Sequence, residues 1–173
     1  NDAPVAEDVT LDAITGTQAG GTLSASDTNG DSLTFSVIEN GTLGTATIPD
    51  SSSPAFTYTT PAGVFGTDTF TFQANDGAQN SNTATVTVNV KRIFRLHLET
   101  SEFGGGFVTQ TLPDVDPRLQ CPVNCPFSFR HVDYVEGTMV AINATPDTGS
   151  QSVSWTSGCD TVIGTECRVT MNH

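Results

Sequence analysis

The stretch Ala25-Ser26-Asp27-Thr28-Asn29-Gly30-Asp31-Ser32-Leu33-Thr34-Phe35 is a short acidic loop that runs straight into an alternating strand. Carboxylate and amide oxygens converging from loops are ligands for a hard divalent cation, and Ca²⁺ takes about six to eight of them. The same residue types have a second use, because Asp and Asn beside Gly form turns in which the side chain bonds its own backbone. The charge balance bears on the choice. The formal net charge is −13, and the first 90 residues carry ten acids with no Lys or Arg before Lys91. Nucleic-acid binding needs basic residues that displace counterions from phosphate, so this surface repels that partner. Unpaired carboxylates suit Ca²⁺, and they also keep a secreted protein soluble.

The second chemical set is sulfur. All four cysteines lie late in the chain, at Cys121, Cys125, Cys159 and Cys167. An even, clustered set reads as disulfides of an oxidising compartment, with three connectivities open. A four-Cys zinc site is the rival, but these spacings are not the paired C-x2-C of such sites. His97, His131 and His173 are scattered over separate segments with no partnered Ser, Cys or carboxylate pattern, so none reads as a catalytic base and no enzyme activity is expected. Trp155 has two readings, core packing or an exposed platform for carbohydrate. Glu7 is a further candidate cation ligand, whereas Asp68 reads as the start of a strand. Asn40-Gly41-Thr42 and Asn143-Ala144-Thr145 have the form of glycan acceptors.

The elements that must position these groups are strands. Thr, Ser, Val, Phe and Asn dominate, and no run of about ten residues keeps a helical apolar spacing. No apolar stretch approaches the length of a membrane helix, so no membrane span is expected. Chain start at Asn1, without Met or a signal segment, suggests a mature product or an excised piece. Period-2 segments are centred on Val5 to Leu11, Leu23 to Ala25, Phe35 to Val37, Gly41 to Thr47, Phe56 to Thr59, Phe70 to Ala74 and Ala84 to Val90. In the last of these Ala84, Val86, Val88 and Val90 share one face, which should turn inward. About seven strands separated by turn signals within the first 90 residues predict a β-sandwich.

Domain 1 is therefore expected over residues 1–90 and domain 2 over 91–173. No Gly/Ser or Pro-rich spacer separates them, which predicts a stiff pair. In domain 2 the expected strands are Phe94 to Leu98, Phe107 to Leu112, a segment opened by Phe127 and Phe129 and ending at the Tyr134 to Thr138 turn, Met139 to Pro146, Val153 to Trp155, and Arg168 to Met171.

The ordered motifs of the first half resemble a bacterial cadherin-like module. Asn1-Asp2-Ala3-Pro4-Val5-Ala6 is similar to the junction peptide between tandem domains, and Asp27 to Phe35 to the acidic loop and its following strand. Phe65 to Phe72 with Asn75-Asp76-Gly77 resembles the sixth strand and the next loop, and Thr83 to Val90 the last strand. The resemblance implies a Ca²⁺ site at the junction, with linker positions Asn1 and Asp2, first-loop positions Asp27, Asn29 and Asp31, and second-loop position Asp76. Asn29 stands where the family usually has a second Asp, and the acids of a preceding domain complete the site in the family. The loop is thus expected to be half of a site in a longer string.

The second half resembles the divergent internalin-type B-repeats. The residues that carry this are Gly105 to Val108, Cys121 to Cys125, Glu136-Gly137-Thr138, Ala144-Thr145-Pro146, Trp155 to Cys159, and Cys167-Arg168-Val169-Thr170-Met171. This resemblance implies a small β-grasp-like, disulfide-clipped β domain in which Cys121 pairs with Cys125 and Cys159 with Cys167. Such repeats usually continue past Asn172 into one more strand, so either the sequence stops short of that strand or the last sheet edge is completed by something else, as in a fibre or by a strand from a neighbouring chain.

Together these readings predict an all-β chain and a structural or adhesive module of a bacterial extracellular or cell-surface protein, with a filament subunit as a specific version. Neighbouring domains, identical subunits, a polysaccharide or a cell-surface ligand are the expected partners. The alternative is a carbohydrate-binding accessory module of a secreted polysaccharide-active enzyme.

Overall fold

The computed structural model describes residues 1–98, 106–112, 130–146 and 158–172. The chain divides into two compact units, Asn1–Arg92 and Ile93–His173. No helix occurs among the described residues, and none is long and apolar enough to cross a membrane.

The first unit contains nine strands: β1 (Val5–Glu7), β2 (Val9–Ile14), β3 (Gln18–Thr22), β4 (Ser24–Ser26), β5 (Thr34–Glu39), β6 (Thr45–Thr47), β7 (Ala55–Thr59), β8 (Gly66–Asn75) and β9 (Ala84–Lys91). They form a four-stranded sheet of order β2-β9-β8-β5, a three-stranded sheet of order β3-β7-β6, and a short β1-β4 pair. The first sheet is antiparallel except where β2 runs parallel to β9, with Val9 opposite Val86 and Ala13 opposite Val90.

Alternation explains the core. Along β9, Ala84, Val86, Val88 and Val90 are buried while the intervening Thr and Asn are half-buried, because successive side chains leave opposite faces of the pleat. Phe35, Phe70, Phe72, Phe56 and Tyr58 complete the core between the sheets. The rings of Phe56 and Phe70 meet edge to face with centroids 5.2 Å apart, a favoured arrangement of aromatic quadrupoles.

Three expectations change. The first edge is two strands rather than one, since β1 pairs with β4 and β2 with β9. The segment Gly41 to Thr47 is a strand only over Thr45–Thr47, and residues 40–44 form a loop. Strand β3 carries Gly20-Gly21 and lacks an apolar alternation, so its sequence does not announce it. A Cβ on Gly21 would lie 2.4 Å from the Phe56 ring; this strand therefore packs its backbone directly on the core.

In the second unit, β10 (Ile93–Leu98) pairs with β12 (Arg130–Val135), and β11 (Gly106–Leu112), β13 (Met139–Pro146), β15 (Glu166–Thr170) and β14 (Thr161–Ile163) make a sheet in the order β11-β13-β15-β14. All these pairings are antiparallel. Strand β14 was not expected from the sequence. Val140, Ile142 and Met171 form a small core with Phe94, Leu96, Val108, Tyr134 and Val169 against it. The Gly137 turn, at φ +84°, links β12 to β13, and the Gly137 N–H donates to the Met171 carbonyl at 2.8 Å. Cys159 and Cys167 are disulfide-bonded with Cα atoms 5.5 Å apart. Cys121, Cys125, Phe127, Phe129 and Trp155 lie outside the described residues.

Candidate cation-binding end of the first unit

Two loops build the site. One follows β4 and leads to β5; the other connects β8 to β9. In the first, the Asp27 Oδ1 accepts from the Asn29 N–H at 2.8 Å and from the Asp31 N–H at 3.1 Å, and the Gly30 N–H donates to the Asp27 carbonyl at 3.3 Å. This is a side-chain-closed turn of the kind Asp favours. In the second, the Asp76 Oδ1 accepts from the Gln79 and Ala78 N–H groups at 2.6 and 2.7 Å.

Because β5 pairs with β8 in a register that sets Thr34 opposite Asn75, the loop before β5 and the loop after β8 arrive at the same end of the sandwich. One ligand atom from each of Asp27, Asp31 and Asp76 lies within 4.8 Å of the others. The Asp27 Oδ2 is buried and has no hydrogen-bond partner among the described residues. Three carboxylates at this spacing repel one another, and a buried unsatisfied oxygen carries a desolvation cost. A divalent cation would relieve both, so the donor set fits Ca²⁺. The Gln79 and Ala78 N–H groups, with a contribution from Asn1, hold the Asp76 carboxyl below the usual carboxylate range, which keeps it charged.

The N-terminal segment joins the same end. The Asn1 Nδ2 donates to the Asp76 Oδ2 at 2.8 Å, the Gln79 Nε2 donates to the Asn1 carbonyl at 2.8 Å, and the Asp2 N–H donates to the Asn29 Oδ1 at 2.7 Å. The structure thus brings Asn1, Asp2, Asp27, Asn29, Asp31 and Asp76 to one end, but only Asp27, Asp31 and Asp76 form the carboxylate cluster; Asn1 and Asn29 act as ties to the N-terminal segment. Glu7 stands apart, its Oε2 accepting from the Ser24 Oγ at 2.8 Å.

Asp68 has a role that sequence reasoning missed. It is 6% exposed and the third residue of β8. Its Oδ1 accepts from the Thr42 N–H at 3.0 Å and Oγ1 at 3.2 Å; its Oδ2 accepts from the Leu43 and Gly44 N–H groups at 2.9 and 3.2 Å and from the Tyr58 hydroxyl. The carboxylate therefore ties β8 of one sheet to β7 of the other and to the loop between β5 and β6. Burial pushes its carboxyl up, but the Tyr58 hydroxyl and the N–H groups of Thr42, Leu43 and Thr69 outweigh it and hold it at about 2. Burial, together with the Asp68 charge, pushes the Tyr58 phenol above its ordinary value. The fold explains the glycines of this loop: a Cβ on Gly41 would lie 2.1 Å from the Asp68 carboxylate, and one on Gly44 would lie 2.6 Å from the Tyr58 ring.

The remaining candidates are placed by strand register. His97 and His131, scattered in sequence, stand directly opposite each other across β10 and β12, next to the Arg95–Asp133 ion pair at 2.8 Å. The Asn40 amide is engaged on both sides, its Nδ2 donating to the Ala46 carbonyl at 3.1 Å and its Oδ1 accepting from the Ala46 N–H at 2.7 Å. The Asn143 Oδ1 accepts from the Thr165 hydroxyl at 2.7 Å.

Comparison with known proteins agrees with this architecture. The bacterial Ig domain family matches residues 1–89, and the divergent InlB B-repeat domain matches residues 129–173. No curated protein matches. Among solved structures the chain is similar to human protocadherin-24 EC1-2, at 11% identity over 98% of this chain and 99% of that one, with a TM-score of 0.41. It is similar to the endo-fucoidan hydrolase MfFcnA4 from glycoside hydrolase family 107, at 14% identity over 98% of this chain and 29% of that one, with a TM-score of 0.44. A third is the adhesin InvE of Yersinia pseudotuberculosis, at 16% identity over 98% of this chain and 59% of that one, with a TM-score of 0.33. The chain spans less than a third of the hydrolase's length, and at these scores the structural likenesses carry no argument of their own. Modules of the two matched kinds are surface or structural units. By the match over its first 89 residues, the chain belongs to the bacterial Ig domain family.

Proposed function

We propose that the chain is a structural and adhesive segment of a bacterial extracellular or cell-surface protein, and that its N-terminal end is stiffened by Ca²⁺. The observation that carries this reading is the convergence of Asp27, Asp31 and Asp76 at the point where Asn1 and Asp2 are tied down. A cation held by those carboxylates adds attraction where the metal-free cluster has repulsion, and it fixes the direction in which the N-terminal segment leaves the domain. Two family matches to modules of surface proteins support the setting. The many strand-to-strand ties of the first unit suit a module that spaces and holds.

Calorimetric titration with Ca²⁺, paired with thermal melts in Ca²⁺ and in chelator, tests the cation. Binding to the folded state alone at about a hundredfold excess over Kd adds about 3 kcal/mol, so the first unit should melt measurably higher in Ca²⁺. Neither heat nor a melting shift would remove the cation from the account. The adhesive part is tested separately, by binding of the chain to host or bacterial surfaces; a filament subunit, its narrower form, is tested by light scattering, where a monomer at all concentrations removes it.

A further inference from the structure

The chain contains two Asn-Gly pairs, Asn29-Gly30 and Asn40-Gly41, and the fold treats them differently. An Asn followed by Gly is chemically unstable in water because no Cβ shields the next backbone nitrogen. That nitrogen, after losing its proton, can attack the side-chain Cγ. A Cγ–N bond forms, the Cγ–Nδ2 bond breaks and ammonia leaves, giving a five-membered imide. Water then opens the ring at either carbonyl, yielding Asp or isoAsp. The reaction needs only water, and its rate depends on whether the side-chain amide and the following backbone nitrogen can meet.

At Asn40 they are held. Its amide makes a two-way bridge to Ala46, and its Oδ1 also accepts from the Gly41 N–H at 3.1 Å. Gly41 itself is wedged against the buried Asp68 carboxylate. Turning the Asn40 Cγ onto the Gly41 nitrogen breaks that bridge and lifts the loop off Asp68. At Asn29 the restraints are few. Asn29 and Gly30 are exposed, a Cβ at Gly30 would meet nothing within 4 Å, and Gly30 sits at φ +79°. The Nδ2 that must leave is held by no described residue, while the Oδ1 accepts from the Asp2 N–H, which draws electrons from Cγ. The Gly30 N–H is tied only by a 3.3 Å bond to the Asp27 carbonyl.

We propose that Asn29 is a site of spontaneous deamidation, directed by the fold, while Asn40 is protected. The Asp product sets a fourth carboxylate beside Asp27, Asp31 and Asp76 and keeps an acceptor for the Asp2 N–H. The isoAsp product adds one backbone methylene and displaces that acceptor, loosening the N-terminal segment. Ageing of the protein thus adds charge to the end of the domain, whether or not a cation binds there.

The test is incubation of the intact chain in warm, mildly alkaline buffer, followed by peptide mapping by mass spectrometry and enzymatic methylation of isoAsp. In folded protein Asn29 should convert about tenfold faster than Asn40 or more, since Asn40 reacts only after a local opening. In concentrated urea the two rates should approach each other. Asn40 converting as fast as Asn29 in the folded chain overturns the proposal. So does an Asn29 that stays intact in the folded chain while converting in urea. Asn29→Gln should abolish the signal at that peptide and leave Asn40 unchanged.

Discussion

Asp68 and Asp31 show how the same side chain does opposite work in two settings. Asp68 is buried with its oxygens filled by donors, so its charge is stabilising. Truncation to Ala leaves the Tyr58 hydroxyl and three backbone N–H groups without a partner. Each unsatisfied buried group costs about 1–3 kcal/mol, so Asp68→Ala should cost about 3 kcal/mol or more, read by urea denaturation of residues 1–92. The pH dependence has a definite sign. The folded carboxyl, at about 2, lies below its unfolded value of 3.8, which corresponds to about 2 kcal/mol. That contribution is complete above the unfolded value and disappears as pH falls from there through about 2. The melting temperature of the native chain should therefore fall over this range faster than that of Asp68→Asn. At Asp31 the carboxylate adds to a repulsive cluster. Asp31→Asn should raise the melting temperature slightly in chelator and lower it in Ca²⁺; a change of one sign in both media argues against a cation there.

At the scale of elements, β9 and the β14–β15 hairpin carry different kinds of stability. Strand β9 lies between β2 and β8 and buries one whole face, so its contribution is apolar burial. Phe70, opposite Val86 on the neighbouring β8, is 1% exposed and touches the rings of Phe56 and Tyr58. Phe70→Ala should cost about 3–5 kcal/mol, measured as the shift of the denaturant midpoint. The β14–β15 hairpin has exposed Val162 and Ile163 and little core of its own. The Cys159–Cys167 bond holds it instead. Closing so short a loop restricts the unfolded chain by about 2–3 kcal/mol in the chain-entropy account. Replacing both cysteines by Ser should lower the melting of the second unit and leave that of the first unchanged, which scanning calorimetry resolves as two transitions.

For the whole molecule, the division into Asn1–Arg92 and Ile93–His173 places a separate apolar core in each unit. Residues 1–92 made alone should fold and melt at the temperature of the first unit in the full chain; loss of cooperative melting would show that the second unit is required. The first unit carries ten acids against only Lys91 and Arg92. Self-repulsion of that magnitude is screened by salt, so its stability should rise with added monovalent salt even without a divalent cation.

Much of the fold was legible because strand alternation is a local property. Ala84 to Val90, Phe70 to Ala74 and Met139 to Pro146 reveal their strands by residue type alone, and Gly137-Thr138 reveals the turn between β12 and β13, although those two strands pair with other partners in separate sheets. Where that signal is missing the reading failed: β3 is built on Gly20-Gly21 packed against Phe56, and β14 is three exposed residues. The acidic loop and Asp76 were legible as candidate ligands by composition and resemblance. Sequence alone could not decide that Asp27 and Asp31 meet Asp76 while Asn1 and Asn29 serve as ties, because these distances follow from the β5–β8 register. Nor could it show that Asp68, with the same carboxylate, faces inward. That outcome required the loop at residues 40–44 to close over β8, bringing backbone N–H groups more than twenty residues away onto its oxygens. A strand's inward face is written in neighbouring residues, whereas the partner of a charge is chosen by whichever distant backbone the sheets bring to it.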